Sequence, residues 1–420
     1  MDFSKRIVKM QESPIRKLAP INDKAKKEGK KVYYLNIGQP DIETPVNFMN
    51  AVKNFDEKIL KYTASQGMPE LINAISNYYS YYNMNFNENN ILVTNGGSEA
   101  LLFSLIAIAD PDDEILLPEP FYTNFNGIAS SIGVKVKPIT TKASDGFRLP
   151  KKDQIESLIG PKTKAILFSN PGNPTGVVYT DKEIRMLADI AKEHNLFIIS
   201  DEVYREFVYD GLSFTSFGSI KDVEDRVIII DSISKRFSAC GTRIGSILSK
   251  NTQLIQQILK LCQGRLCSPT LEQIGATALY GMSFDYFNGI KEEYQKRRDT
   301  IYDELLKIPG VYCEKPKGAF YIIAKLPVDN AEKFAMWLLS KYTYDNKTVM
   351  LAPAQGFYGT EGLGIDEVRI AYVLNEEDIR AAMKILNLAL IEYSRIMSLE
   401  RAEGFRDIKV GEMFFLNECV

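Results

Sequence analysis

The apolar pattern predicts an α/β fold: a mostly parallel sheet in a large domain, joined to a smaller α+β domain built from both chain ends. Three observations carry this. Between about residues 90 and 250, short and nearly continuous apolar runs alternate with helix-length segments. Small and polar residues collect directly after those runs. After about residue 285 the texture changes, as a long charged segment leads into a few further strand-like runs. Strands buried on both faces read as continuous apolar runs, which is the mark of a parallel sheet covered by helices.

The strand candidates are ILVT (91–94), EILLP (114–118), VKVKPI (134–139), KAILFSN (164–170), LFIISDE (196–202), RVIIIDSIS (226–234) and RIGSILS (243–249). Apolar periodicity predicts helices over 98–109 and 181–194. KEEYQKRRDTIYDELLKI (291–308) reads as a long charged helix, and AFYIIAKL (319–326) and VRIAYV (368–373) as strands of the smaller domain. The expected division is 46–297 for the large domain and 1–45 with 298–420 for the small one. Near the start, Ile15, Leu18, Ile21 and Ala25 suggest an amphipathic helix with a solvated basic face.

Composition excludes several functions. Lys plus Arg is 51 and Asp plus Glu is 54, a net charge of −3, so no nucleic-acid or anionic-membrane partner is expected. No run is long and apolar enough for a membrane span. The chain has one histidine, His194, so no His-based metal site is expected and proton transfer must use another group. His194 itself reads as a helix-end residue. Five cysteines, with no CxxC pair, argue for small buried side chains in a reducing cytoplasm rather than disulfides or metal ligands.

In open parallel sheets, ligands bind beyond the carboxyl ends of the strands. Five such ends carry NGGSEA, EPFY, NPGNPTG, DEVYREF and SISKRFSACGTR. Gly96-Gly97-Ser98 opens a helix, whose free N–H groups suit a phosphate. Lys235 follows a buried strand, where desolvation lowers a lysine pKa and makes the amine a nucleophile for carbonyls. Ser232, Ser234 and Arg243 lie close by in sequence. Asp201 ends an apolar run, where a carboxylate needs a cation such as a protonated ring nitrogen. Tyr204 and Asn173 can hydrogen-bond a phenolic oxygen. Each feature has a plain alternative: a helix cap for Ser98, a solvated surface lysine, a surface ion pair for Asp201, and turn residues for Asn173 and Tyr204. Taken together they describe one ligand with a phosphate, a ring nitrogen, a phenolic oxygen and an aldehyde, which is pyridoxal 5′-phosphate (PLP).

With LNIGQPDIETP (35–45), KYTASQG (61–67), TNGGSEA (94–100), PEPFY (118–122), NPGNPTG (170–176), SDEVYREF (200–207), SISKRFSACGTRIG (232–245) and VRIAY (368–372) in this order, the chain resembles the class I/II aminotransferases of PLP fold type I. The likeness runs from about residue 13 to 395. It implies that Lys235 carries the internal aldimine and shuttles the proton, Asp201 keeps the pyridine nitrogen protonated, and Tyr204 and Asn173 bind the ring oxygen. It implies that Gly97, Ser98, Ser232, Ser234 and Arg243 grip the phosphate and that Tyr122 stacks on the ring, with Phe121 one residue away. Tyr62 would reach the phosphate of a neighbouring subunit, hence a homodimer with shared sites. Arg369, with Asn173 and the backbone at Gly38, would hold the substrate α-carboxylate.

The implied reaction is a two-step transamination from an L-amino acid, with aspartate a candidate, to a 2-oxo acid such as 2-oxoglutarate. Dicarboxylate-specific members need a second cation. Here Ser98 follows the paired glycines, where one subgroup has lysine, and Gly264 stands where another has arginine. Arg265, one residue off, is the candidate for the distal carboxylate. Tyr33, Tyr34, Phe320, Tyr321, Phe357 and Tyr358 are candidates for a substrate pocket or for ordinary core. A PLP-dependent C–S β-lyase of the same fold is the alternative activity, and a PLP-binding regulator is disfavoured because no DNA-binding extension is expected before LNIGQPD. The tail after about residue 400, with Phe414-Phe415, has no family counterpart and is expected to dock on the neighbouring subunit.

Overall fold

A computed structural model describes the backbone of residues 1–415 and the side chains of residues 1–399. The side chains of Phe414 and Phe415, and Cys419, lie outside the described residues, as does the expected docking of the tail.

The strands are β1 (Lys31–Tyr34), β2 (Ile91–Thr94), β3 (Glu114–Glu119), β4 (Lys135–Thr140), β5 (Thr163–Ser169), β6 (Phe197–Asp201), β7 (Val227–Ser232), β8 (Gly245–Leu248), β9 (Tyr312–Cys313), β10 (Tyr321–Lys325), β11 (Lys347–Met350), β12 (Ala352–Pro353) and β13 (Glu367–Ala371). All seven runs expected between 91 and 249 form one sheet, in the order β2-β8-β7-β6-β5-β3-β4. It is parallel except at β8, which pairs antiparallel with both β2 and β7. The cause is the β7–β8 connection. It contains a four-residue helix, Ile233–Arg236, too short for the crossover that a parallel neighbour requires. The reversal keeps Lys235 and Arg243 at the same sheet edge as Asp201.

Alternate residues of each strand face opposite layers. In β7, Ile228 and Ile230 pack with Leu101 and Leu105 of helix Gly97–Ile108 and with Ile258 of helix Thr252–Arg265. Ile229 faces the other layer, with Ile184 and Leu187 of helix Asp181–Glu193 and Ile75 of helix Pro69–Tyr81. Each fully buried Ile or Leu contributes about 1.5–3 kcal/mol relative to exposure, so both faces are strongly specified. Helix Asp181–Glu193 begins at a capping box of Thr180 and Glu183. It ends at His194, whose Nε2 is 3.1 Å from Glu156 Oε1 at the surface. The lone histidine is a helix-end residue far from the strand ends described below.

The long charged helix runs over Asp285–Leu306, longer than its sequence signal. A four-stranded antiparallel sheet, β12-β13-β10-β9, and the parallel pair β1-β11 complete the strands. The β1-β11 pair joins an early segment to a late one. Their own core includes Phe320, Ile322, Val349, Ile370 and Leu386. The amphipathic helix expected near Ile15 starts later, at Ala19, with Pro20 in its first turn. Leu18 and Ala25 are buried as expected, but Ile15 belongs to a turn before the helix and faces a cavity instead.

Candidate active site

A cavity of about 610 Å³ opens at the carboxyl edge of the large sheet. Of the sequence candidates, Gly38, Gly97, Ser98, Tyr122, Asn173, Asp201, Tyr204, Ser232, Ser234, Lys235, Arg243 and Arg369 all line it.

Lys235 lies on the short helix after β7, capped by Ser232, whose side chain accepts from Ser234 N. Its Nζ donates to the Gly38 carbonyl at 2.8 Å and lies 3.8 Å from Cys240 Sγ. Burial disfavours the ammonium, but the oxygens of Tyr321 and Tyr122 and the Cys240 thiol outweigh it, and the pKa is raised. The depressed pKa expected from desolvation alone is therefore not found in the chain by itself: these polar neighbours reverse the sign. Arg236, the next residue, is buried and turned away, paired with Asp231 and with Glu206.

Asp201, at the end of β6, has no cation partner among the described residues. Its Oδ1 accepts only the Val203 N–H, at 3.3 Å. Burial pushes its carboxyl up to about 7, reinforced by Asp231 and Glu202 and opposed by that N–H and by Lys235. A carboxylate held this way lacks its counter-charge.

The phosphate end is built from a helix start. Gly96 precedes helix Gly97–Ile108 with φ +77, a conformation that glycine adopts without strain. A Cβ at Gly96 would come within 2.4 Å of Arg243 Nη2, so the guanidinium rests directly on this turn. Ser232 Oγ is 2.7 Å from Ser234 Oγ. Arg243 donates to the Cys240 carbonyl at 2.8 Å and pairs with no carboxylate among the described residues. The first N–H groups of a helix have no partner within it, so hydroxyls, free N–H groups and a cation converge here.

Arg369, on β13, is 1% exposed. It donates to Asn173 Oδ1 at 3.2 Å and to the Asn36 carbonyl, while its Nε has no partner. Burial lowers its pKa, and no carboxylate pairs with it among the described residues. A buried guanidinium without an anion is a binding site in wait of one. Tyr204 and Tyr321 hydroxyls lie 2.7 Å apart beside it. Tyr122 lines the cavity, while Phe121 is buried and does not.

Two candidates lie elsewhere. Tyr62 is 80% exposed and outside this cavity. Arg265 also lies outside this cavity. Its guanidinium donates to Glu99 at 2.9 Å, Ser268 Oγ at 2.6 Å and the Ser65 carbonyl at 2.9 Å. Its charge is paired with Glu99 and both Nη groups are engaged, while Nε has no hydrogen-bond partner among the described residues. The sequence reading missed Cys240, Ser13, Arg16 and Gln39, which also line the cavity. It named Tyr321 only among many aromatics. Gly38 points to that residue: a Cβ there would fall 1.9 Å from the Tyr321 hydroxyl.

The residues present fit PLP: a phosphate cradle, an unpaired carboxylate for a ring nitrogen, and an amine within one cavity. Residues 30–386 match the family described as aminotransferase class I and II. The chain is 35% identical to a probable aspartate aminotransferase of Methanocaldococcus jannaschii, over 84% of this chain and 92% of the relative. It is 29% identical to an aspartate aminotransferase of Bacillus subtilis, over 91% and 98%. An alanine aminotransferase structure from Pyrococcus furiosus superposes with a TM-score of 0.85 at 31% identity, covering 93% and 100%. With the fold, the cavity and these matches in agreement, the chain belongs to the class I and II aminotransferases, enzymes that use PLP to move amino groups between amino acids and 2-oxo acids.

Proposed function

We propose that this aminotransferase takes an L-amino acid, with aspartate a candidate donor, and passes its amino group to a 2-oxo acid such as 2-oxoglutarate. The observation that carries the assignment of roles is the meeting of Lys235, Asp201 and Arg369 in one cavity, the latter two lacking ion partners.

When bound, PLP supplies an aldehyde that condenses with amines and a ring that takes up electrons from the substrate Cα. Lys235 is its attachment point and, once released, carries the proton that leaves Cα. Asp201 holds the proton of the ring nitrogen; the absence of any other cation partner makes that position favourable. Tyr204 and Asn173 would hydrogen-bond the ring oxygen, and Tyr122 would cover a ring face. Gly97, Ser98, Ser232, Ser234 and Arg243 hold the phosphate. Arg369 orients the substrate α-carboxylate, because its planar fork matches a carboxylate in two parallel hydrogen bonds. Asn173 and the Gly38 carbonyl border the same pocket and fix which face of the substrate meets Lys235.

We also assign a homodimer in which Tyr62 completes the partner's phosphate site. Its support is the 80% exposure of Tyr62 beside exposed Ile59 and Leu60. Division into 46–297 and the two flanking segments, with the sites at their junction, follows the separation of the large sheet from the smaller ones. No helix among the described residues is long and apolar enough to cross a membrane. Four cysteines in the described residues are free, which supports a reducing cytoplasmic location.

The test is a half-reaction screen: the cofactor spectrum of the purified holoenzyme is followed against a panel of amino acids. Conversion without release of thiol or ammonia, reversed by a 2-oxo acid, is the expected result. Thiol release from cystathionine, with no amino transfer, would reject it for the β-lyase.

A further inference from the structure

We propose that Arg16 is the specificity cation of this enzyme, pairing with the distal carboxylate of a short dicarboxylic amino or 2-oxo acid. The proposal rests on the aminotransferase reading above and names the substrate class of that same site.

Cations lining the cavity are Arg16, Lys235, Arg243 and Arg369. The last three are accounted for by the reaction, the phosphate and the α-carboxylate. Arg16 is left over. Its side chain makes no hydrogen bond and no ion pair among the described residues. Its neighbour Lys17 is already neutralised by Glu332 at 2.5 Å. Among the described residues Asp201 is the sole carboxylate along the cavity wall, so none of their other acidic groups competes for Arg16 there.

The position of Arg16 is fixed by its segment, not left to a loose terminus. Arg16 N and Lys17 N both donate to the Ser13 carbonyl, at 3.0 and 2.9 Å, closing a turn. Asn36, which is buried, donates from Nδ2 to the Ile15 carbonyl at 3.1 Å. Gln11 and Pro14 press on Gly356, where a Cβ would come within 2.4 and 2.8 Å of them. Met10 packs near Gly127, where a Cβ would come within 3.2 Å of it. The segment thus straps the cavity mouth, anchored by these contacts, with Ser13 and Arg16 turned to the lining.

Two unpaired guanidiniums, Arg369 deep and Arg16 at the mouth, match a ligand with two carboxylates. The guanidinium fork suits each of them. Arg16 is solvent-exposed, so it can also turn to water and leave the apolar wall of Ile15 and Ile37 to a neutral side chain. The preference it confers is graded, not absolute.

The experiment compares kcat/KM for aspartate and glutamate with that for alanine and phenylalanine, using holoenzyme of wild type, Arg16→Gln, Arg16→Lys and, as a control for lost surface charge, Lys24→Gln. Arg16→Gln should lower the dicarboxylate-to-neutral ratio by about 2- to 5-fold, with partial recovery in Arg16→Lys and no change in Lys24→Gln. Succinate should lose its potency as a competitive inhibitor in parallel. An unchanged ratio, an equal loss for both classes, or a wild type without dicarboxylate preference would overturn the role of Arg16. Wild type inactive on every amino acid would instead overturn the aminotransferase reading on which it rests.

Discussion

The buried guanidinium of Arg369 donates to the Asn173 side-chain oxygen at 3.2 Å, joining β13 of the smaller sheet to the loop that follows β5 of the large one. This contact spans the two halves of the cavity. It holds the fork in place but leaves its charge unspent. Removing one partner of a buried charged hydrogen bond costs about 2–5 kcal/mol. Arg369→Lys should therefore raise KM for every amino acid by on the order of 100-fold, measured in the half-reaction, because the lost group reads the α-carboxylate common to all. A selective loss for one substrate class would assign Arg369 elsewhere.

Asp201 gives a prediction with a defined pH window. Its folded-state pKa is raised to about 7 from the ordinary 3.8. Without cofactor, the stability associated with the neutral carboxyl is full below pH ~4 and is lost as pH rises through ~7. Asp201→Asn removes that loss. The apo variant should match wild type near pH 4 and exceed it by roughly 4 kcal/mol at pH 8, read by denaturant titration. The same substitution should cut turnover of the holoenzyme by at least about 100-fold, since an amide cannot hold the ring proton by charge. Greater stability of wild-type apoenzyme at pH 8 than of the variant would contradict the sign.

Gly96 carries a third test. Alanine there would face both φ +77 and Arg243 Nη2 at 2.4 Å. The strain is about 1–2 kcal/mol, and the guanidinium must leave the turn. Gly96→Ala should weaken PLP binding at least about 10-fold by equilibrium dialysis, with little change in the substrate KM once the cofactor is saturating. A raised substrate KM with normal cofactor affinity would place Arg243 outside the phosphate site.

Glu119 supports the cavity from behind. Fully buried at the end of β3, it accepts from Gly359 N at 2.8 Å, Thr360 N at 2.9 Å and the hydroxyls of Thr140 and Thr360. It ties the 355–362 segment to the large sheet. Glu119→Ala strands those donors, so a loss of about 2–4 kcal/mol in unfolding free energy is expected. A change under 0.5 kcal/mol, on the order of an ordinary surface substitution, would show that the segment holds without it.

Much of this was legible in the sequence because the relevant signals are local. Continuous apolar runs gave β2 to β8 within about a residue at most ends, and the cofactor candidates after them, from Gly97 to Arg243, line one cavity. What was not legible depends on contacts distant in sequence. The reversal of β8 follows from the length of the helix after β7. Arg265 pairs with Glu99, 166 residues away, a contact no spacing rule reveals. Arg16 was not singled out, because the Asn36 contact that holds its segment at the cavity joins positions distant in sequence. The Lys235 pKa was misjudged for a related reason: burial was visible, but Tyr321 and Cys240 beside the amine were not.

The central claim is that Lys235 is the residue that joins the cofactor and moves the proton. The most direct measurement is reduction of the holoenzyme with borohydride, followed by proteolysis and mass spectrometry. The expected result is the PLP-derived mass on the peptide containing Lys235, and neither label nor turnover in Lys235→Ala. A label on a different lysine, or wild-type turnover in Lys235→Ala, would contradict it.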